Sequence, residues 1–202
     1  MKNKKNHKRD IELLFEIGCL RYMPRSWKRF FNPDVANNAE HTFRVAWIAL
    51  LLAKYEGIDN EDKILKMALI HDLTESRTGD VDYLSRQYVE RKEAKAVKDM
   101  LEDTVFQKEL VSLWHEYEQK LSIEAKIVKD ADNLDVELEL VEQEFRGHSI
   151  GTLLNSRRKE NVYSKLYTTS ARKLWNEIHK SKLHDWHLLA NNRFKNGDWK
   201  KK

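Results

Sequence analysis

Proline is almost missing from this chain. Pro24 and Pro33 are the only two among 202 residues, so Asp34 to Lys202 runs without one, and glycine occurs only six times. Proline removes a backbone donor and clashes inside a helix, and glycine weakens a helix through its extra freedom in the unfolded state. A chain with so few breakers favours helix after helix. The expected fold is therefore all-α, a single-domain helical bundle, since 202 residues suit one domain that buries about two thirds of its unfolded surface.

Apolar periodicity sets the layout. Asp10 opens a first amphipathic helix, with Ile11, Leu14 and Phe15 at helical spacing, running to about Leu20. Residues 21–38 hold both prolines and read as an irregular loop. A second helix carries His41 in its first turn, continues one face through Val45, Ile48 and Leu52, and ends at Gly57. The third starts near Asn60 and places Ile64, Ala68, His71 and Glu75 on one stripe until Gly79 and Asp80 break it. Further helices are expected over 85–102, 106–120, 122–145 and 170–180, with 146–165 less regular. This layout divides the chain into a basic tail (residues 1–9), one domain (10–180) and a C-terminal extension (181–202).

Charge and composition narrow the function. Thirty-seven lysines and arginines against 33 acids give a net charge of +4. The two signs alternate, as in RQYVERKEAKAVKDMLED, whereas a nucleic-acid binder needs its basic residues clustered on one face. The longest apolar run, VAWIALLLA, is too short to cross a bilayer, and the segment after the basic start lacks the pattern of a signal peptide. The single cysteine, Cys19, cannot form an internal disulfide, which points to a reducing, cytoplasmic compartment.

The chemistry lies in an H…HD…D set. His71 and Asp72 close the apolar helical stretch KILKMALIHDLTE, with His41 thirty residues before and Asp132 about sixty after. Two imidazoles and two carboxylates can together hold one divalent ion. Neighbouring helical residues project about 100° apart, so an ion reached by both His71 and Asp72 must lie beside their helix. His41 and Asp132 must then come from helices packed on that side. In VKDADNLD, Asp130 and Asp135 are rival ligands, but the expected buried stripe of Ile127, Ala131, Leu134, Leu138 and Val141 is bordered by Asp132 and leaves those two pointing further out. A second pair, His184 and Asp185 in HDWH, has no partner at comparable spacing and reads as surface or packing, as do His115, His148, His179 and His187.

Such an ion acidifies a bound water and neutralises phosphoryl charge, which points to a hydrolase of phosphoesters. Glu75, four residues after His71, leans toward the same side and can orient the attacking water or take its proton. Asp80, just past Gly79, can hold that water or the substrate. Arg25 is the candidate for binding phosphate oxygens, with Arg77 as second choice.

The segment HDLTESRTGD (residues 71–80) resembles the HDxxExxxGD motif of the HD-domain phosphohydrolases, in particular their 5′-deoxynucleotidase-like branch. NNAEHTFRVA resembles that branch's first-histidine segment, IEAKIVKDADNLD its last-aspartate helix, and LRYMPRSW its short arginine and tryptophan segment. The likeness spans roughly residues 11–144. It implies His41, His71, Asp72 and Asp132 as ligands of one manganese, cobalt, iron or magnesium ion, with Glu75 and Asp80 as catalytic and substrate-site acids. It further implies that Arg25 faces the substrate, that Trp27 lines the pocket, that a nucleoside or deoxynucleoside 5′-monophosphate releases its phosphate there, and that the protein is a homodimer. One departure stands out: the family usually has a glycine between the arginine and the tryptophan, where this chain has RSW. The other expectations open from the residues are a different phosphoester (a triphosphate, a cyclic nucleotide or an alarmone) and a non-catalytic, metal-bound regulatory module. A binuclear centre would need more histidines between Asp72 and Asp132, and only His115 lies there.

Overall fold

The structure is a computed structural model that describes residues 6–31 and 34–189. The start of the basic tail, Pro33 and the lysine-rich end of the C-terminal extension lie outside the described residues.

Two long helices form the centre of the bundle. The first, α3 (Asn38–Glu56), begins with a reciprocal cap in which the Asn37 side chain accepts from the Glu40 amide and the Glu40 carboxylate accepts from the Asn37 amide. That exchange satisfies two amide donors a helix start would otherwise leave bare. α3 ends on Gly57 in the left-handed conformation. The second, α8 (Ile123–Phe145), is capped by the Ser122 hydroxyl. Between them, with α4 (Glu61–Ile70), α7 (Gln107–Glu118) and α10 (Thr169–Ile178), lies a core of Val45, Ile48, Leu52, Ile64, Met67, Ile127, Leu134 and Trp175. A second core joins α1 (His7–Gly18), α6 (Glu93–Leu101) and α7 through Leu13, Leu20, Ile70, Leu73, Val97, Met100 and Trp114. The short α2 (Lys28–Phe31) and α5 (Glu75–Thr78) flank the site, α9 (Ile150–Asn161) returns along α8, and α11 (Asp185–Leu188) is a single turn. Among the described residues there is no strand, only an isolated bridge between Pro24 and Asn37, and no helix is long and apolar enough to cross a membrane.

The helices follow the expected order, with local differences: α1 begins at His7, before the expected start at Asp10, and the expected loop over 21–38 holds the short α2. On α1 the inward edge is Leu13, while Ile11, Leu14 and Phe15 are 50%, 57% and 75% exposed. Polar anchors turn the helix this way: Arg9 donates to the carbonyls of Met100 (2.7 Å) and Glu102 (3.2 Å), and Glu16 accepts from Arg77. The third expected helix stops at Ile70, residues 71–74 form a turn, and Glu75 begins a separate short helix. Over 85–102 only α6 is α-helical, preceded by one 3-10 turn (Ser85–Gln87). The stretch 146–165 is more regular than expected because it contains the three turns of α9.

Candidate metal centre

α3, the turn after α4, and α8 bring His41, His71 and Asp132 together, with ligand atoms within 4.8 Å of one another, and set Asp72 against both imidazoles. His41 Nε2 lies 3.2 Å from His71 Nε2, 3.4 Å from Asp72 Oδ2 and 3.3 Å from Asp132 Oδ1, and His71 Nε2 is 3.3 Å from Asp72 Oδ2. Neighbouring ligands on one ion with bonds of about 2.0–2.2 Å stand at this kind of spacing.

The outer nitrogens are held. His71 Nδ1 sits 2.7 Å from the carbonyl oxygen of Ala68, which can only accept, so Nδ1 carries the proton and Nε2 presents its lone pair. His41 Nδ1 lies 2.6 Å from Asp135, whose other oxygen accepts from Arg44, itself paired with Glu142 at 2.7 Å. Partners of this sort orient a ligating imidazole and raise its basicity. The centre also attracts positive charge. Burial and the Arg25 charge favour a neutral His41 ring, yet hydrogen bonds with Asp132, Asp135 and Asp72 hold it well above the ordinary histidine range. Burial alone would raise Asp72 and Asp132, but His71, His41 and Arg25 hold the first well below the carboxylate range, and Lys129 and His41 do so for the second. Buried imidazoles facing ionised carboxylates suit a divalent cation, so the donor set fits the ion implied by the sequence.

The rivals on α8 have other roles, and both are buried rather than directed outward. Asp135 holds His41. Asp130 accepts from the amides of Tyr167 (2.9 Å) and Thr168 (2.8 Å) and from the Thr168 hydroxyl (2.8 Å), which anchors the start of α10. Neither could be separated from Asp132 by helical phase, because long-range partners bury them.

Glu75 and Asp80 lie in a cavity of about 160 Å³ that also receives His71, Asp72 and Asp132. Glu75 is buried, accepting from Asn38 Nδ2 at 2.7 Å and from Arg91 at 3.2 Å. Burial first, then the charges of Asp72 and Asp80, push its carboxyl up to about 9 against the opposing pull of Arg25 and Arg91. Asp80 accepts from the Ser26 amide at 2.7 Å. Arg25, buried, donates to Asp72 at 2.8 Å and stands 3.8 Å from Glu75 and 3.6 Å from Asp80. Arg77 is not brought to the site: it pairs with Glu16 at 2.5 and 2.9 Å, two residues beyond Glu75 and on the other side of α5. Its place is taken by cations that no sequence motif singles out, namely Arg86, Arg91, Lys120 and Lys129. Only Lys129, three residues before Asp132 on α8 and 2.7 Å from it, had a signal in helical spacing. Trp27 lines an adjoining cavity of about 500 Å³ with Phe30 and Tyr83, whose rings stack at 5.5 Å.

A profile described as HD domain matches residues 17–181. The 5′-deoxynucleotidase HDDC2 of Bos taurus is 34% identical over 149 residues, which cover 71% of this chain and 72% of that protein. The human protein of the same name is 31% identical over the same shares. Among solved structures, a conserved hypothetical protein from Pyrococcus furiosus superposes with a TM-score of 0.72 at 31% identity, covering 85% of this chain and 99% of its own. A protein from Pyrococcus horikoshii does so with a TM-score of 0.69 at 27% identity, again over 85% and 99%.

Proposed function

This chain belongs to the HD-domain family, and on that premise we propose that it is a metal-dependent phosphohydrolase releasing phosphate from nucleoside or deoxynucleoside 5′-monophosphates. The observation that carries the reading is the meeting of His41, His71, Asp72 and Asp132 beside a buried glutamate and a set of cations. The relatives named 5′-deoxynucleotidase support the substrate class.

His41, His71, Asp72 and Asp132 would hold one divalent ion of the manganese, cobalt, iron or magnesium kind. When bound, such an ion acidifies a water and neutralises charge on a phosphoryl oxygen. Glu75 would act as the general base in the metal-loaded site, where the ion's charge would offset the Asp72 charge that helps to raise its carboxyl; Asn38 and Arg91 fix its two oxygens, so its orientation is set before substrate arrives. Arg25 steadies Asp72 and Asp80 and offers the rest of its planar fork to the phosphate. Asp80, held by the Ser26 amide, borders both the phosphate cavity and the Trp27 cavity and positions the sugar side of the ester.

Charge favours a monoester. Five cations and six carboxylates line the smaller cavity, so a divalent ion leaves it with a single positive charge. A phosphomonoester dianion takes that balance only to about one negative charge, whereas a triphosphate adds about two more with nothing further to meet them. The partner is thus a small nucleotide and not a nucleic acid, in keeping with cytoplasmic residence. The homodimer implied by the resemblance belongs to the same reading. A phosphate-release screen of metal-loaded protein across nucleoside mono-, di- and triphosphates and cyclic nucleotides tests the substrate class. Monophosphates should lead, and faster release from triphosphates would overturn the monoester reading.

A further inference from the structure

The larger cavity shares Arg25, Asp80, Arg86, Lys129 and Asp132 with the smaller one, so the two form one continuous site. Its character changes along the way, from charged side chains around the metal centre to Trp27, Val136, Leu154 and Val162 beyond it. At about 500 Å³ it falls within the usual size of a small-molecule site. Its far wall is α9, where Leu154, Arg157, Arg158 and Asn161 fall at helical spacing on one face.

α9 is fixed in place at both ends. Gly151 lies so close to α8 that a Cβ there would come within 2.6 Å of Glu144 Oε1, and the Thr152 hydroxyl donates to the same oxygen at 2.8 Å. Arg158 donates to the buried Glu137 at 2.6 Å and to the Asn133 carbonyl at 3.3 Å. Arg158 is therefore committed to holding the helix. Arg157, its neighbour, makes no ion pair among the described residues. Asn161 Nδ2 donates to the Arg157 carbonyl at 2.8 Å, which leaves Asn161 Oδ1 as an acceptor.

We propose that α9 is the base-recognition wall of the site. With the substrate phosphate at the metal centre, the nucleoside extends past Trp27. Its base then lies between the Trp27 side and the Leu154 and Val162 side, and its polar edge is read by Arg157 and Asn161. This rests on the nucleotide reading given above.

The test compares kcat/KM for deoxynucleoside 5′-monophosphates with kcat/KM for 2-deoxyribose 5-phosphate, which carries the same reacting group and no base. In the metal-loaded full chain, Leu154→Trp should lower that ratio about tenfold or more, mainly through KM, by filling the space of the base. Arg157→Ala, at an exposed position where folding is not at risk, should lower it about threefold. Metal content per chain, measured alongside, should match the parent protein. An unchanged ratio in both variants would overturn the role of α9 while leaving the nucleotidase reading intact. Failure of the nucleotide reading would show earlier, in a parent protein that cleaves the base-free sugar phosphate as well as the nucleotides, and the role of α9 would fall with it.

Discussion

His41 Nδ1 lies 2.6 Å from Asp135, three residues along α8 from the carboxylate of Asp132 that faces the same ring's Nε2 at 3.3 Å. One helix thus grips both nitrogens of one imidazole. Asp135→Asn keeps the size of the side chain and removes its charge, so the His41 ring loses basicity and a fixed orientation. Metal affinity should fall about 10- to 100-fold, with the bundle still folded. Calorimetric titration of metal into stripped protein checks this, and unchanged affinity would reduce Asp135 to a packing residue.

Asp130→Ala separates stability from ligation. It removes an acceptor of three hydrogen bonds at the start of α10 and leaves the buried Thr168 amide and the part-buried Tyr167 amide unpaired. The expected loss is roughly 3 kcal/mol, or about 10 °C in Tm, while metal stays at one per chain. Loss of metal without loss of Tm would make Asp130 the ligand instead of Asp132.

Glu75 gives two readouts from one substitution. In the metal-loaded enzyme Glu75→Gln should keep the metal and lower kcat by about 10² or more. In the metal-free protein its carboxyl titrates at about 9, raised by burial and by Asp72 and Asp80. A carboxyl raised on folding binds its proton more tightly in the folded state. The Glu75 contribution to stability is therefore full below the unfolded value near 4 and is lost as pH rises through about 9. Glu75→Gln should flatten that decline in a series of Tm measurements, and an identical slope in both proteins would contradict the buried, proton-holding environment assigned to Glu75.

The two arginines proposed for phosphate binding should now differ. Arg25→Ala should lower kcat/KM by a factor of about 10 to 100, the worth of a charge-assisted hydrogen bond of roughly 1.5–3 kcal/mol. Arg77→Ala breaks only a partly exposed pair with Glu16 and should leave kcat/KM within about twofold, at a stability cost below about 1 kcal/mol. Equal losses from both would mean that Arg77 reaches the substrate after all.

What could be read from the chain was what local pattern controls. The buried face through Val45, Ile48 and Leu52 and the stop at Gly57 are written in and just after α3. His41, His71, Asp72 and Asp132 stood out through their order and spacing; the structure places His41, His71 and Asp132 within 4.8 Å of one another, with Asp72 beside both histidines. The face of α1 was misjudged because its orientation is set by Arg9 reaching carbonyls near residue 100, a contact that no helical wheel contains. The stop at Ile70 has no breaker between Ile70 and Glu75 to announce it. Arg86 comes to the cavity from a 3-10 turn, Arg91 from a loop and Lys120 from the turn after α7, so only tertiary placement reveals them.

The proposed mechanism rests on one ion held by His41, His71, Asp72 and Asp132 driving phosphate release. Its most direct test titrates metal-stripped protein with manganese while following inorganic phosphate from a deoxynucleoside 5′-monophosphate, in parallel with Asp132→Ala. Turnover should rise linearly and saturate at one ion per chain in the parent protein, and the variant should neither retain the ion nor turn over. Full turnover in chelator, or an Asp132→Ala protein that binds one ion and remains active, would contradict the account.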